Sequence, residues 1–213
     1  DIIVSDVMMP RMNGYKLCKT IKEDINISHI PVILLTARDD RQSQISGYKN
    51  GADGYLSKPF EVEMLMELIR NRLKNREYTK KRYLNAGLIP TPEESTISLT
   101  DETFLIKLNS IIQENIENSN LGIQFICQEV GLGRSSLYNK LKALTGMGAN
   151  EYISKLRIEK AITLISGTDM PFSEIAEKTG FTTPSYFSTA FKQYTGETPS
   201  QYKERKKKGL ADK

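Results

Sequence analysis

An α/β region with a parallel sheet, joined to an all-α region with two helix-turn-helix units, is the fold class this sequence predicts. Three observations carry it. Up to about residue 77, short apolar runs alternate with helical periods. After Thr100 the period is helical throughout. Within that helical part, one pattern occurs twice at an offset of 49 to 50 residues.

The elements follow in order. Ile2-Ile3-Val4 and Pro31-Val32-Ile33-Leu34-Leu35 are short apolar runs rich in β-branched residues, which fit strands covered on both faces. Gly54-Tyr55-Leu56 is a third, shorter strand. Between and after them, helices are expected at roughly Asn13–Lys22, Gln42–Asn50 and Glu61–Asn75. The last carries Met64, Leu65, Leu68, Ile69 and Leu73 on one side. Strand-helix alternation of this kind predicts a doubly wound sheet. From about Arg76 to Leu99 the pattern breaks. Lys80-Lys81-Arg82, Gly87, Pro90, Pro92 and the polar run Glu93–Thr96 have linker composition, with the preceding helix carrying on for a turn or two. Asp101-Glu102 then opens a helix bearing Phe104, Leu105, Leu108, Ile111, Ile112 and Ile116, the acidic start matching the positive end of the helix dipole. A long helix is expected at about Asn150–Ser166, ended by Gly167. The expected organisation is 1–77, a linker at 78–100, a helical domain at 101–206 and a tail at 207–213.

Composition narrows the functions. The chain is 38% hydrophobic and 26% charged, ordinary for a globular protein. No window approaches 18 apolar residues, and no signal peptide is visible. The chain opens on Asp1 inside a strand-like run, as a piece of a longer protein would. Cys18 and Cys127 lie far apart, and His29 is the single histidine, so no metal cluster can be assembled. Isolated buried thiols are expected, which suits a reducing compartment. Net charge is +4, and from Asp101 onward 15 basic residues face 13 acidic ones. Charge alone therefore points to no partner; placement matters more.

The repeat is where placement becomes informative. Ile126-Cys127-x-x-x-Gly131-Leu132 matches Ile175-Ala176-x-x-x-Gly180-Phe181, and Leu137-x-x-x-Leu141-Lys142-x-Leu144-Thr145-Gly146 matches Phe187-x-x-x-Phe191-Lys192-x-Tyr194-Thr195-Gly196. Each copy reads as a helix, a glycine-containing turn and a second helix. Cys127 or Ala176 allows a close crossing, and Gly131 or Gly180 a left-handed turn. The second helices turn outward Arg134, Ser135, Ser136, Tyr138, Asn139, Lys140 and Lys142 in one copy, and Ser185, Tyr186, Ser188, Thr189, Lys192 and Gln193 in the other. Those side chains suit base edges and phosphates of double-stranded DNA. A helical bundle with a merely solvated polar face is the plain alternative. Two copies joined by one long helix favour DNA, because they can set two reading helices about 34 Å apart, one duplex turn. The stretch from about Phe104 to Arg205 resembles the AraC-type DNA-binding domain. The run Ile175-Ala176-Glu177-Lys178-Thr179-Gly180-Phe181 through Tyr186-Phe187-Ser188, Phe191-Lys192, Gly196 and Pro199-Ser200-x-Tyr202 carries the resemblance. It implies seven helices, with Ser135, Tyr138 and Asn139 in the first base-reading set and Ser185, Tyr186 and Thr189 in the second. Arg134 adds to the DNA-facing set, and Lys140, Lys142 and Lys192 are expected on phosphates.

In the α/β region, Asp6, Thr36 and Lys58 stand at the ends of three successive strand-like runs. Ligands of open α/β sheets bind beyond the carboxyl ends of strands. A carboxylate there can attack a phosphoryl group, while a hydroxyl and an ammonium hold its oxygens. Singly, Asp6 could cap a turn, Thr36 start a helix and Lys58 be a surface charge; together at successive strand ends they point to a site. Ser5-Asp6-Val7-Met8-Met9-Pro10 with Asn13-Gly14, Leu35-Thr36-Ala37, Gly51-Ala52-Asp53 and Leu56-Ser57-Lys58-Pro59-Phe60 resemble the second half of a response-regulator receiver domain, of flavodoxin-like fold, strands 3 to 5. The resemblance implies Asp6 as phospho-acceptor, Thr36 as switch hydroxyl, Tyr55 as coupled aromatic and Lys58 as phosphate-binding cation. It also implies a histidine kinase as donor and Mg2+ held by Asp6 and the Met8 backbone carbonyl. A complete receiver has roughly fifty residues before this point, an acidic pair for Mg2+ among them. Without them the chain is expected to bind no Mg2+ stably, to accept phosphate poorly and to leave Ile2–Val4 as an open sheet edge.

The leading expectation is a DNA-binding transcriptional regulator of the two-component type, not itself an enzyme. An aspartate-based phosphohydrolase with a helical cap is disfavoured, since such enzymes want a carboxylate where Met8 stands. A protein-interaction module without DNA is the third reading. A receiver joined to an AraC-type domain occurs in separate, cytoplasmic response regulators and in hybrid sensors; Ile97-Ser98-Leu99-x-Asp101-Glu102-x-Phe104-Leu105 and Tyr138–Gly146 resemble the hybrid kind most, which would put this chain at the cytoplasmic end of an inner-membrane protein. A homodimer is a further expected partner state.

Overall fold

The computed structural model describes residues 1–37, 49–86 and 98–211, the side chains of 79, 81–86 and 209–211 excepted. The helix expected at Gln42–Asn50 and residues 87–97 of the expected linker lie almost wholly outside the described residues. The described chain falls into two compact units, Asp1–Ile106 with Ser135–Gly146, and Lys107–Arg134 with Met147–Lys213.

The first unit is built on a parallel sheet of β1 (Ile3–Asp6), β2 (Val32–Thr36) and β3 (Gly54–Ser57), in that order. The register sets Asp6 beside Leu35 and Thr36 beside Ser57, so the polar strand ends share one edge. Burial explains the strand composition: Val32, Ile33 and Leu34 are fully enclosed, as a central parallel strand requires. The helix α1 (Gly14–Glu23) starts where Asn13 accepts from the Lys16 N–H at 2.9 Å, satisfying a free amide of the first turn. Its Cys18 and Ile21 pack with Val7, Val32, Leu34 and Ala52. After β3 comes α2 (Val62–Ala86), which runs eleven residues past the expected Asn75. Its predicted apolar side is divided. Leu68 turns in against Gly54, whereas Met64 and Leu73 are exposed. Val4 on β1 is also exposed, on the strand that pairs with β2 alone among the described residues.

Seven helices follow over the described residues from 99 to 211, the number the AraC-type resemblance implies: α3 (Leu99–Glu114), α4 (Ile123–Val130), α5 (Arg134–Thr145), α6 (Ala149–Gly167), α7 (Phe172–Lys178), α8 (Pro184–Thr195) and α9 (Pro199–Ala211). The beginning of α3 and nearly all of α5 belong to the first unit, and the remainder to the second. The second unit's core gathers Ile158, Ala161 and Ile165 from α6, Ile175 and Ala176 from α7, Phe187 and Phe191 from α8, and Tyr202 from α9. Spacing of three, four and seven residues puts the α6 and α8 sets each on one helix face, and burying those faces drives the packing.

Candidate phospho-acceptor site and nucleic-acid interface

The strand-end residues meet as expected. The Lys58 ammonium lies 2.5 Å from an Asp6 carboxylate oxygen. That hydrogen bond, with further ones from the Met8 and Val7 amides, holds the Asp6 carboxyl below the ordinary carboxylate range. Thr36 is buried at the end of β2, and its carbonyl accepts from the Lys58 N–H at 2.6 Å. The Lys58–Pro59 peptide is cis. Tyr55 is half-buried, with its hydroxyl 3.3 Å from that of Tyr15 on α1, a partner the sequence reading missed. The pair Asn13-Gly14 was a visible marker beside Tyr15, yet nothing in the spacing ties residue 15 to residue 55. As oxygen donors for Mg2+ the site offers the Asp6 carboxylate, already engaged by Lys58, and the Met8 carbonyl. Among the described residues no cluster of three His, Cys, Asp or Glu stands ready for a metal. That donor set does not fit an ion that demands octahedral oxygen ligation.

Both glycine turns of the repeat have the same hydrogen bonds. In the first, Leu132 N–H donates to Cys127 O at 3.0 Å and Gly131 N–H to Gln128 O at 3.3 Å. In the second, Phe181 N–H donates to Ala176 O and Gly180 N–H to Glu177 O, each at 2.9 Å. Paired bonds of this kind define a helix end that needs a left-handed residue. Gly131 and Gly180 supply it, with φ of 73° and 70°. Both cysteines are free and buried, and burial raises the Cys18 thiol to about 11.

On α5, Arg134, Ser135, Tyr138, Asn139 and Lys142 are exposed, so these candidate DNA contacts face solvent. Lys140 does not. Its side chain is 0% exposed and forms an ion pair with Asp101 of α3, which is itself buried. The Ser28 hydroxyl donates to Asp101 at 2.7 Å and receives the Lys140 ammonium at 2.7 Å, and the Phe104 ring lies 5.1 Å from that nitrogen. Burial pulls the Lys140 ammonium below its ordinary range, while Asp101 opposes the shift. The expectation that Lys140 touches phosphate is thus corrected: a desolvated, paired ammonium is unavailable to DNA. The sequence held a signal for this. Lys140 falls at the i+3 place of the stripe Leu137, Leu141 and Leu144, which is the buried side of the helix. The Asp101 carboxylate, read as a dipole match, acts as an ion-pair partner as well.

On α8, Ser185, Tyr186, Thr189 and Lys192 are all exposed. Thr183 caps the helix by accepting from the Tyr186 N–H at 3.2 Å, and Pro184 occupies its first turn. Below that face a chain of rings runs Phe181, Phe187, Phe191, Tyr202 at centroid spacings of 5.4 to 5.7 Å. Tyr194 OH donates to Glu159 of α6 at 3.3 Å, with Lys155 of α6 3.7 Å from the same oxygen. Burial raises the Glu159 carboxyl, and burial with Glu159 nearby raises Tyr194 to about 12. Arg157 braces the second turn: its guanidinium donates to Asn118 O at 2.7 Å and lies over the Phe181 ring at 6.0 Å. Neither bracing set was anticipated from sequence.

Comparison with known proteins finds two matching families. Residues 1–70 match the response regulator receiver domain family, and residues 126–205 match a helix-turn-helix domain family. Histidine kinase P4 of Formosa agariphila is 43% identical over 96% of this chain, which spans 15% of that protein. A probable transcriptional regulator, ycf29, of Pyropia yezoensis is 30% identical over 71% of this chain and 73% of its own length. Among solved structures, the C-terminal domain of AraT, a response regulator from Geobacillus stearothermophilus, is 31% identical over 48% of this chain and 84% of that one, with a TM-score of 0.45. The chain belongs to the response-regulator family, with a receiver region followed by a helix-turn-helix domain.

Proposed function

We propose that this chain is the output end of a two-component phosphorelay, in which α5 and α8 read double-stranded DNA and Asp6 receives the phosphoryl group when the receiver is intact. The observation that carries it is the duplicated turn, each copy followed by a helix with an exposed face of hydrogen-bonding residues. Arg134, Ser135, Tyr138 and Asn139 are the first base-facing set, and Ser185, Tyr186 and Thr189 the second. Lys142 and Lys192 meet phosphates. The functional boundaries are 1–77, 78–100, 101–206 and a tail at 207–213.

A salt titration of binding to a selected operator tests this. Log affinity should fall linearly with log salt, and Lys142→Ala or Lys192→Ala should each lower the slope by about 1. Lys140→Met combined with Asp101→Leu, which removes the buried pair as a whole, should leave the slope unchanged. Salt-insensitive or absent binding would instead favour a protein-interaction module.

For Asp6, the donor is a histidine kinase phosphohistidine, and Thr36, Tyr55 and Lys58 respond to the transferred group. The donor set described above predicts that acetyl phosphate with Mg2+ leaves Asp6 of this 213-residue chain essentially unlabelled; stoichiometric labelling would contradict it. The full protein is a hybrid sensor with a kinase in the same polypeptide, anchored in the inner membrane with this end in the cytoplasm. The match to a histidine kinase of which this chain spans only 15% supports that reading. Among the described residues no helix is long and apolar enough to cross a membrane, so the anchor would lie elsewhere. The gene sequence upstream decides it: no kinase and no span there would remove the hybrid proposal. Sedimentation of the chain with and without DNA tests the proposed homodimer.

A further inference from the structure

The first unit holds a cavity of about 80 Å³ that none of the functions above uses. Its walls bring together Lys22, His29, Asp53, Arg72, Arg76 and Asp101. Charge is the feature that sets it apart. Each carboxylate already has its own ammonium: Lys22 lies 2.7 Å from Asp53, and Lys140 pairs with Asp101. The Val32 N–H also donates to Asp53 at 2.8 Å. With those four charges paired off, the guanidinium groups of Arg72 and Arg76 are the further charges on this wall among the described residues, Arg76 being drawn also to the Asp101, Glu77 and Asp53 carboxylates. The two arginines stand one helical turn apart on α2, so they project to the same side. Arg76 donates only to the Asp1 carbonyl, at 3.3 Å, among its described hydrogen bonds.

Among the described residues, one buried nitrogen of each of two residues that line this wall, Nδ1 of His29 and Nε of Arg72, has no partner. Buried polar atoms are normally satisfied, and an orphan calls for a missing water or ion. Both orphans belong to residues that line the cavity with Arg76, and the two guanidinium groups there specify the missing group further. The cavity has room for a few waters or one tetrahedral oxyanion. An anion seated there would face both guanidinium groups at once, which neutral water does not exploit. Guanidinium forks bind oxyanions through paired N–H donors, which a chloride ion cannot match. Burial and the neighbouring cations Lys140, Arg76 and Lys22 lower His29 to about 4, against the opposite pull of Asp101, so the ring is neutral at pH 7. A neutral imidazole can meet an oxyanion as a single N–H donor.

We propose that this cavity is a binding site for a small dianionic oxyanion of the inorganic phosphate type, held by Arg72 and Arg76 with His29 at its side. The site is separate from the DNA-reading faces and from Asp6, and it stands or falls independently of them.

His29 is the sole histidine of the chain, so its imidazole resonance reports on this cavity and nowhere else. The 213-residue chain is titrated with inorganic phosphate at pH 7.5 and fixed ionic strength, with potassium chloride as the balancing salt. The expected result is a saturable shift of the His29 signal and a rise in its pKa as the anion enters. Sulfate should act like phosphate. Arg72→Gln and Arg76→Gln should each weaken the binding roughly tenfold, about 1.4 kcal/mol. Arg72→Lys keeps the charge but lacks the buried Nε donor, and should fall between wild type and Arg72→Gln; it serves if a glutamine variant fails to fold. No His29 shift, a linear shift equal to that with chloride, or an affinity unchanged in the variants would overturn the proposal, the last two meaning an adventitious ion only.

Discussion

The two helix-turn-helix copies share a turn and differ in what stands behind it. Their turn hydrogen bonds superimpose at an offset of 49 residues, and both glycines have positive φ. Behind the first copy's second helix, the buried side is aliphatic, with Leu137, Leu141 and Leu144, and is fixed by the ion pair of Lys140 with Asp101. The second copy has Ala190 at the place of Lys140 and uses rings, with Phe187 and Phe191 stacked edge-on. Their glycines also differ. A Cβ on Gly131 would meet nothing within 4 Å, whereas one on Gly180 would sit 2.2 Å from the Ile116 carbonyl oxygen. The turn is thus a property of backbone hydrogen bonding, while the method of holding the reading helix is free to vary. Ionic pairing is directional but costly to desolvate; aromatic packing is less directional and carries no desolvation debt of that kind.

This difference can be broken from either side. The largest effect is expected in the first copy. Asp101→Ala leaves the Lys140 ammonium buried and unpaired, and should cost about 3–5 kcal/mol in urea unfolding. Replacing both partners, Asp101→Leu with Lys140→Met, should recover most of the loss; a single-variant cost below about 1 kcal/mol would mean the pair holds nothing. Next comes the glycine contrast. Gly180→Ala should cost about 3 kcal/mol or more, because the clash is with backbone. Gly131→Ala should cost only about 1 kcal/mol, for the strained φ. Equal losses would show that the second turn has room to relax. The smallest effect belongs to Thr183→Ala, which removes the α8 cap and should lower stability by about 1 kcal/mol. The first copy has Gly133 at the corresponding place before its second helix, with no side chain to remove.

Much of this was legible in the sequence because it rests on local periodicity. The three strands, the repeat, its glycines and the strand-end triad of Asp6, Thr36 and Lys58 all lie where patterns of two, three and four residues put them. The remainder depends on pairs far apart in sequence. Asp101 and Lys140 are 39 positions apart, Tyr15 and Tyr55 are 40, and Arg157 reaches Asn118 across 39. No spacing rule links such residues, since only the fold brings them together. Lys140 marks the boundary between the two cases. Its place on the apolar stripe was readable, but the charge drew it to the solvent side in the sequence reading. A buried lysine needs a carboxylate, and the stripe alone does not say which one.

The ring chain that ends on Tyr202 gives the last helix a part in events it does not itself face. Tyr202 of α9 closes the cluster over Phe191, 5.6 Å away, and Arg205 covers the outer side of its ring at 5.0 Å. Cutting the chain before Pro199 would therefore act as a core mutation at a distance. It would wet the underside of α8 and loosen the orientation of Tyr186 and Thr189, on the face proposed above to read DNA. The terminal segment works as a keystone for the second copy.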